Sequence, residues 1–148
     1  MRSNIIVALS AAIVIATVAG MAAQAQTGDI TVNVTYKGKG AVDATHEILV
    51  FLFDHPNPTG DSMPLGVQSI TKNGDAATFK GLSTATPLYL ILVYDEKANY
   101  DGQSGPPPEG HPIGSYNKAG KPVAVTPGAN VKVAAVFDDS RRWGQTKK

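Results

Sequence analysis

This sequence predicts an all-β fold, an antiparallel Greek-key sandwich of seven to eight strands behind an N-terminal export signal. Short runs rich in Val, Ile, Tyr and Phe recur along the chain, and nearly every run is closed by Gly, Pro, Asn or Asp. The three-and-four apolar spacing of an amphipathic helix is almost missing after residue 25. The 148 residues divide into a signal peptide over 1–25, one domain over 26–139 and a basic, flexible tail over 140–148.

The signal reads from three features. Arg2 gives a positive start, residues 5–19 form a nearly unbroken apolar run, and Ala23-Gln24-Ala25 supplies a small-x-small cleavage pattern. Cleavage would leave Gln26 as the new N-terminus, so the domain is expected in the periplasm or secreted, without a membrane span. Removing Arg2 leaves 12 basic residues against 12 acidic ones. A neutral chain has no long-range field to recruit nucleic acid or an anionic membrane. The absence of cysteine excludes disulfides, thiolate ligands and cysteine nucleophiles.

Residues 30–36 are the first strand, with Ile30, Val32, Val34 and Tyr36 on one face and Thr31, Asn33 and Thr35 on the other. Lys37-Gly38-Lys39-Gly40 turns the chain. Residues 47–54 are apolar at both parities and predict a central strand, whereas the prolines of 55–60 cannot continue a ladder. Two short strands over 65–71 and 76–80 are expected to form a hairpin around Asn73-Gly74, a dipeptide suited to a tight turn.

Residues 87–94 repeat the doubly apolar character, with Leu88, Leu90, Leu92 and Tyr94 opposite Tyr89, Ile91 and Val93. Residues 95–112, polar at first and then carrying Pro106, Pro107 and Pro108, read as one long exposed loop. A brief pairing over 113–116, a short strand over 121–126, a Pro127-Gly128 turn and a last strand over 131–138 complete the set. Barrel closure is the alternative to a sandwich.

The segment 81–95, Gly-Leu-Ser-Thr-Ala-Thr-Pro-Leu-Tyr-Leu-Ile-Leu-Val-Tyr-Asp, preceded by Ala77-Thr78-Phe79-Lys80, resembles the signature of transthyretin-like or carboxypeptidase regulatory-like sandwich domains. The opening Ile-Thr-Val-Asn-Val-Thr-Tyr-Lys-Gly and residues 48–53 fit the first two strands of that pattern. The resemblance implies a seven-stranded prealbumin-like sandwich, within the broader Ig-like architecture. It also implies a non-enzymatic role in binding, adhesion or folding support. The purine-pathway hydrolase branch of the fold ends in Tyr-Arg-Gly-Ser. This chain carries Ser140-Arg141-Arg142-Trp143 near its end, so that activity is not expected.

Candidate sites follow from chemistry. Asp95, Glu96, Asn99, Asp101, Gln103 and Glu109 put carboxylate and amide oxygens into one loop, as a hard cation such as calcium requires. The EF-hand spacing fails, because Lys97 would stand at the first ligand position. His46, His55 and His111 show no spacing that pairs two ligands for zinc or copper. No serine lies in a Gly-x-Ser-x-Gly setting, and no His/Asp partner is arranged for one by sequence. Carboxylate pairs drawn from Asp54, Asp95 and Glu96 are too ordinary to mark glycoside hydrolysis.

Tyr94, Tyr100 and Tyr116 could form a binding platform for a sugar or an extended peptide. The expectation is an exported, non-enzymatic module of the cell envelope that binds a protein or glycan partner or serves structurally. The alternative is a calcium-assisted carbohydrate-binding module using residues 95–109, and a third reading is a small hydrolase. Neither the partner nor the oligomeric state is legible.

Overall fold

The computed structural model describes residues 24–145. The expected signal, apart from Gln24 and Ala25, and the last three residues of the expected tail lie outside them. Among the described residues there are strands and no helix, so none is long and apolar enough to cross a membrane. The strands are β1 (Thr27–Tyr36), β2 (Ile48–Phe53), β3 (Gly66–Ile70), β4 (Ala76–Ser83), β5 (Tyr89–Tyr94), β6 (Ile113–Ser115), β7 (Asn117–Lys118), β8 (Lys121–Pro122) and β9 (Val131–Phe137). They build a three-stranded sheet in the order β4-β1-β9, a four-stranded sheet in the order β3-β2-β5-β6, and the small β7-β8 ribbon. The two larger sheets share one apolar core, an arrangement consistent with a β-sandwich.

Alternation places the core. Ile30, Val32, Val34 and Tyr36 of β1 turn inward against Ile48, Val50 and Leu52 of β2 and Leu90, Leu92 and Tyr94 of β5. Tyr36 and Tyr94 meet across the core with ring centroids 4.4 Å apart. The outer face of the β1 sheet is more polar, with Thr31 and Thr78 hydroxyls 3.2 Å apart. The β2-β5 sheet differs, because Leu49, Phe51, Phe53 and Val93 form a second buried cluster on its other face.

Several expectations need correction. The Asn73-Gly74 segment does not close a hairpin, because β3 pairs with β2 and β4 pairs with β1. Asn73 instead continues β4 along the edge of β1, where its Oδ1 accepts the Tyr36 N–H and its Nδ2 donates to the Tyr36 carbonyl, both at 2.8 Å. The Gly74 N–H then donates to the Val34 carbonyl, and the Val34 N–H to that of Asp75. A side-chain amide that mimics a backbone unit makes this crossing between sheets possible.

Nor are the sheets antiparallel throughout, since β1 and β9 run parallel from Ile30↔Val131 to Tyr36↔Phe137. After β6 the chain returns to the start of β1, where Asp29 and Gly128 exchange backbone hydrogen bonds, and β9 therefore sets out in the direction of β1. The strand expected over 121–126 shrinks to β8 and a bridge between Val125 and Leu88. β6 and β9 approach without pairing at Gly114, where a methyl group would overlap Phe137.

The segment expected to begin a flexible tail at residue 140 is docked as far as the described residues reach. Ile113 N–H donates to the Arg141 carbonyl at 3.0 Å, Trp143 N–H to that of His111 at 2.9 Å, and Gly110 N–H to that of Trp143 at 2.9 Å. Polarity of sequence suggested solvent, but backbone pairing does not depend on side-chain polarity.

Candidate functional site

A sheet that is apolar on both faces must be covered twice, and among the described residues no helix does it. Two loops take that place over the β2-β5 face: residues 54–65, which connect β2 to β3, and residues 95–112, which follow β5. The first is tied back where Leu65 N–H donates to the Leu52 carbonyl at 2.8 Å. The second is exposed over much of 97–106, as its composition suggests, but it is anchored on the sheet. Its Gly102 is buried against Leu49, Phe51 and Val67, and its Tyr100 ring stacks on Phe51 at 6.2 Å.

The loops leave a groove of about 420 Å³ between them. Phe51, Phe53, Val67, Ile91 and Val93 form its floor, residues 58–64 one wall, and Tyr100, Gly102, Pro106 and Pro107 the other. Trp143 stands at its edge, and Met63, 84 % exposed, projects beside it. The Tyr100 hydroxyl donates to the Gly105 carbonyl at 2.8 Å, and burial pushes its phenol up to about 12. Tyr100 therefore acts as a neutral, fixed wall.

The 95–112 loop is pinned from inside. Asp95 and His111 are both buried, with His111 Nε2 3.1 Å from Asp95 Oδ1. Asp95 also accepts the N–H groups of Asn99 and Tyr100, and His111 Nδ1 lies 3.1 Å from the Pro108 carbonyl. Outside this pair, Arg142 holds Glu96 at 2.7 Å and donates to the Gly110 carbonyl at 2.7 Å. The Arg142 guanidinium keeps the Glu96 carboxyl below the usual glutamate range.

The expected residues thus separate. Tyr94 is buried in the main core with its hydroxyl donated to the Ala41 carbonyl, so it presents no face to a ligand. Tyr116 packs on the rim of the same core, and Tyr100 alone of the three lines the groove. The tyrosine platform is not assembled, because Tyr94 and Tyr100 serve opposite faces of one sheet. Among the oxygen donors, Asp95 is turned inward, Glu96 is held by Arg142, and Asn99 and Glu109 are exposed. Asp101 accepts Gln103 N–H, Ser104 N–H and the Ser104 hydroxyl, which lower its carboxyl to about 2. Among the described residues, no group of three His, Asp or Glu side chains is placed to hold a metal.

Sequence reading missed a chain of contacts within residues 54–65, of which Ser62 lines the groove. His55 Nδ1 lies 2.6 Å from Asp54 Oδ1, and His55 Nε2 lies 3.1 Å from Ser62 Oγ. The signal was present in Asp54-His55 directly after an apolar strand, but the return of Ser62 depends on the loop's path. No family model, curated protein or solved structure matches this chain.

Proposed function

We propose that this chain is an exported binding module of the transthyretin-like, Greek-key sandwich type, working in the periplasm or outside the cell by taking an apolar side chain of a protein partner into the groove on its β2-β5 face. One observation carries the reading: this face is left with an aromatic-floored groove of about 420 Å³ although two loops already cover part of it. That volume is in the range of small-ligand sites. The floor offers Phe51, Phe53, Ile91 and Val93, with Thr59, Asp61, Ser62 and Gln103 among the other lining residues, and an apolar, aromatic floor favours an aliphatic or aromatic group. Export is supported by the pattern of residues 2–25.

The test uses Trp143, the single tryptophan, as reporter at the groove edge. Titration with N-acetyl-leucinamide and N-acetyl-phenylalaninamide should shift its emission saturably, N-acetyl-serinamide and a chito-oligosaccharide should not, and Met63→Glu should weaken the response. A response to the saccharide alone would replace this reading by a glycan site. No response to any probe would overturn the groove as a binding site.

A further inference from the structure

We propose that Ser62 is a nucleophile that accepts an acyl group from esters with a short apolar acyl chain, activated by His55 and oriented through Asp54. Three contacts define the geometry. Asp54 Oδ1 lies 2.6 Å from His55 Nδ1, and a carboxylate there fixes the proton on Nδ1. His55 Nε2 then presents its lone pair to Ser62 Oγ at 3.1 Å. Ser62 Oγ already accepts the Thr59 N–H at 2.9 Å, and of the two other groups it meets, Thr59 Oγ1 at 3.4 Å and His55 Nε2 at 3.1 Å, the imidazole is the nearer acceptor for its proton. This is the order of contacts that activates a serine hydroxyl in an acyl-transfer site: nucleophile, base, orienting carboxylate.

The loop holds the three groups by local structure. Asp54 and His55 leave the end of β2, and the His55 ring packs edge-on against Phe53 at 5.7 Å. The turn from Thr59 to Ser62, closed by Ser62 N–H to the Thr59 carbonyl at 3.1 Å, brings Ser62 back to the imidazole. His55 and Asp54 side chains are 41 % and 60 % exposed, so a substrate can reach them without any opening of the fold. Ser62 also lines the groove, which places the hydroxyl beside an apolar hollow floored by Phe51, Phe53 and Ile91.

In the step, Ser62 Oγ bonds to the ester carbonyl carbon, the carbonyl π pair moves to its oxygen, and the hydroxyl proton passes to His55 Nε2. Collapse breaks the bond to the alkoxy oxygen, which takes the proton from His55 and leaves as an alcohol. Water then adds to the acyl-Ser62 ester, gives a proton to Nε2, and releases the carboxylic acid as Ser62 recovers its proton. The net change is ester plus water to acid plus alcohol, without an oxidant or reductant. The nucleophile stands on the three contacts alone, whereas the preference for an apolar acyl chain rests on the groove proposed above.

The test treats the purified protein with p-nitrophenyl acetate and p-nitrophenyl butyrate, following nitrophenolate release and locating the acyl adduct by peptide mass. The adduct should fall on the peptide containing Ser62, and butyrate should react about tenfold faster than acetate for its two additional methylenes. His55→Gln should slow acylation by about a hundredfold. Ser62→Ala should abolish the adduct, and Ser62→Cys, which keeps a nucleophile, should restore it. Trp143 emission and the melting temperature would show that the variants keep the fold. No adduct on Ser62, or adducts on lysines that persist in Ser62→Ala, would overturn the nucleophile. Equal labelling by both esters would leave the nucleophile standing and overturn the acyl preference.

Discussion

Asp95 and His111, sixteen residues apart at the two ends of one loop, meet in the protein interior at 3.1 Å. The contact closes residues 95–112 into a cover for the β2-β5 face rather than a free excursion. Asp95 does this while also holding the Asn99 and Tyr100 amides, so one carboxylate sets both the start of the loop and its return.

Breaking that pair should therefore cost more than an ordinary surface change. His111→Ala removes a buried imidazole and its contacts to the Asp95 carboxylate and the Pro108 carbonyl, while Asp95 keeps the Asn99 and Tyr100 amides, and we expect a loss of about 2 kcal/mol in urea unfolding. A loss below about 0.5 kcal/mol, the ordinary effect of a surface substitution, would show that the loop is held by its other contacts.

The Glu96–Arg142 pair gives a pH dependence with a defined sign. Glu96 has a folded pKa below its unfolded value because of the Arg142 hydrogen bonds, so its contribution is full above the ordinary glutamate value of roughly 4.3 and is lost as pH falls through the depressed value. Both side chains are about a third exposed, so the energy is small. Trp143 emission should shift to the red as the pH drops through that window. Glu96→Gln should show the shifted emission already at neutral pH.

Calcium should leave the melting temperature where a chelator leaves it. Asp95, Glu96 and Asp101 each direct their oxygens to partners within the protein, and a cation would have to displace those hydrogen bonds. A clear rise with calcium would instead restore the calcium-assisted carbohydrate reading of residues 95–109.

Gly102→Ala should destabilise by about 2–3 kcal/mol and narrow the groove. Gly102 has φ +74°, and an added methyl would sit 3.2–3.3 Å from Val67, Leu49 and Phe51. The left-handed backbone and the crowding act together. Chemical denaturation measures the first effect, and the Trp143 titration with N-acetyl-leucinamide measures the second.

Asn73→Ala should cost about 1–2 kcal/mol, because both hydrogen bonds to the Tyr36 backbone are lost at the edge of β1. Asn73→Asp should recover part of that, since an aspartate can still accept the Tyr36 N–H.

Strand positions and their inward faces were legible in the sequence because a side-chain period of two is a local property. Ile30, Val32 and Val34 declare their face by alternation, and β2 and β5 declare two apolar faces by their lack of it. Partnership was not legible. The same Asn73-Gly74 that signals a hairpin serves here as the entry to another sheet, because its amide finds the Tyr36 backbone, 37 residues away in sequence. The parallel pairing of β1 with β9 likewise depends on where Gly128 lies in space.

The candidate site divides along the same line. An all-β chain with two doubly apolar strands, an acidic loop and no cysteine can be read from local pattern. Tertiary structure alone decided that Tyr94 turns into the core while Tyr100 lines a groove, that Asp95 points inward to His111, and that Ser62 reaches His55. The physical reason is range: alternation and turn chemistry act between neighbours, whereas covering the outer face of β2 and β5 is a demand of the whole sheet, met by whichever loops the chain's path brings across it.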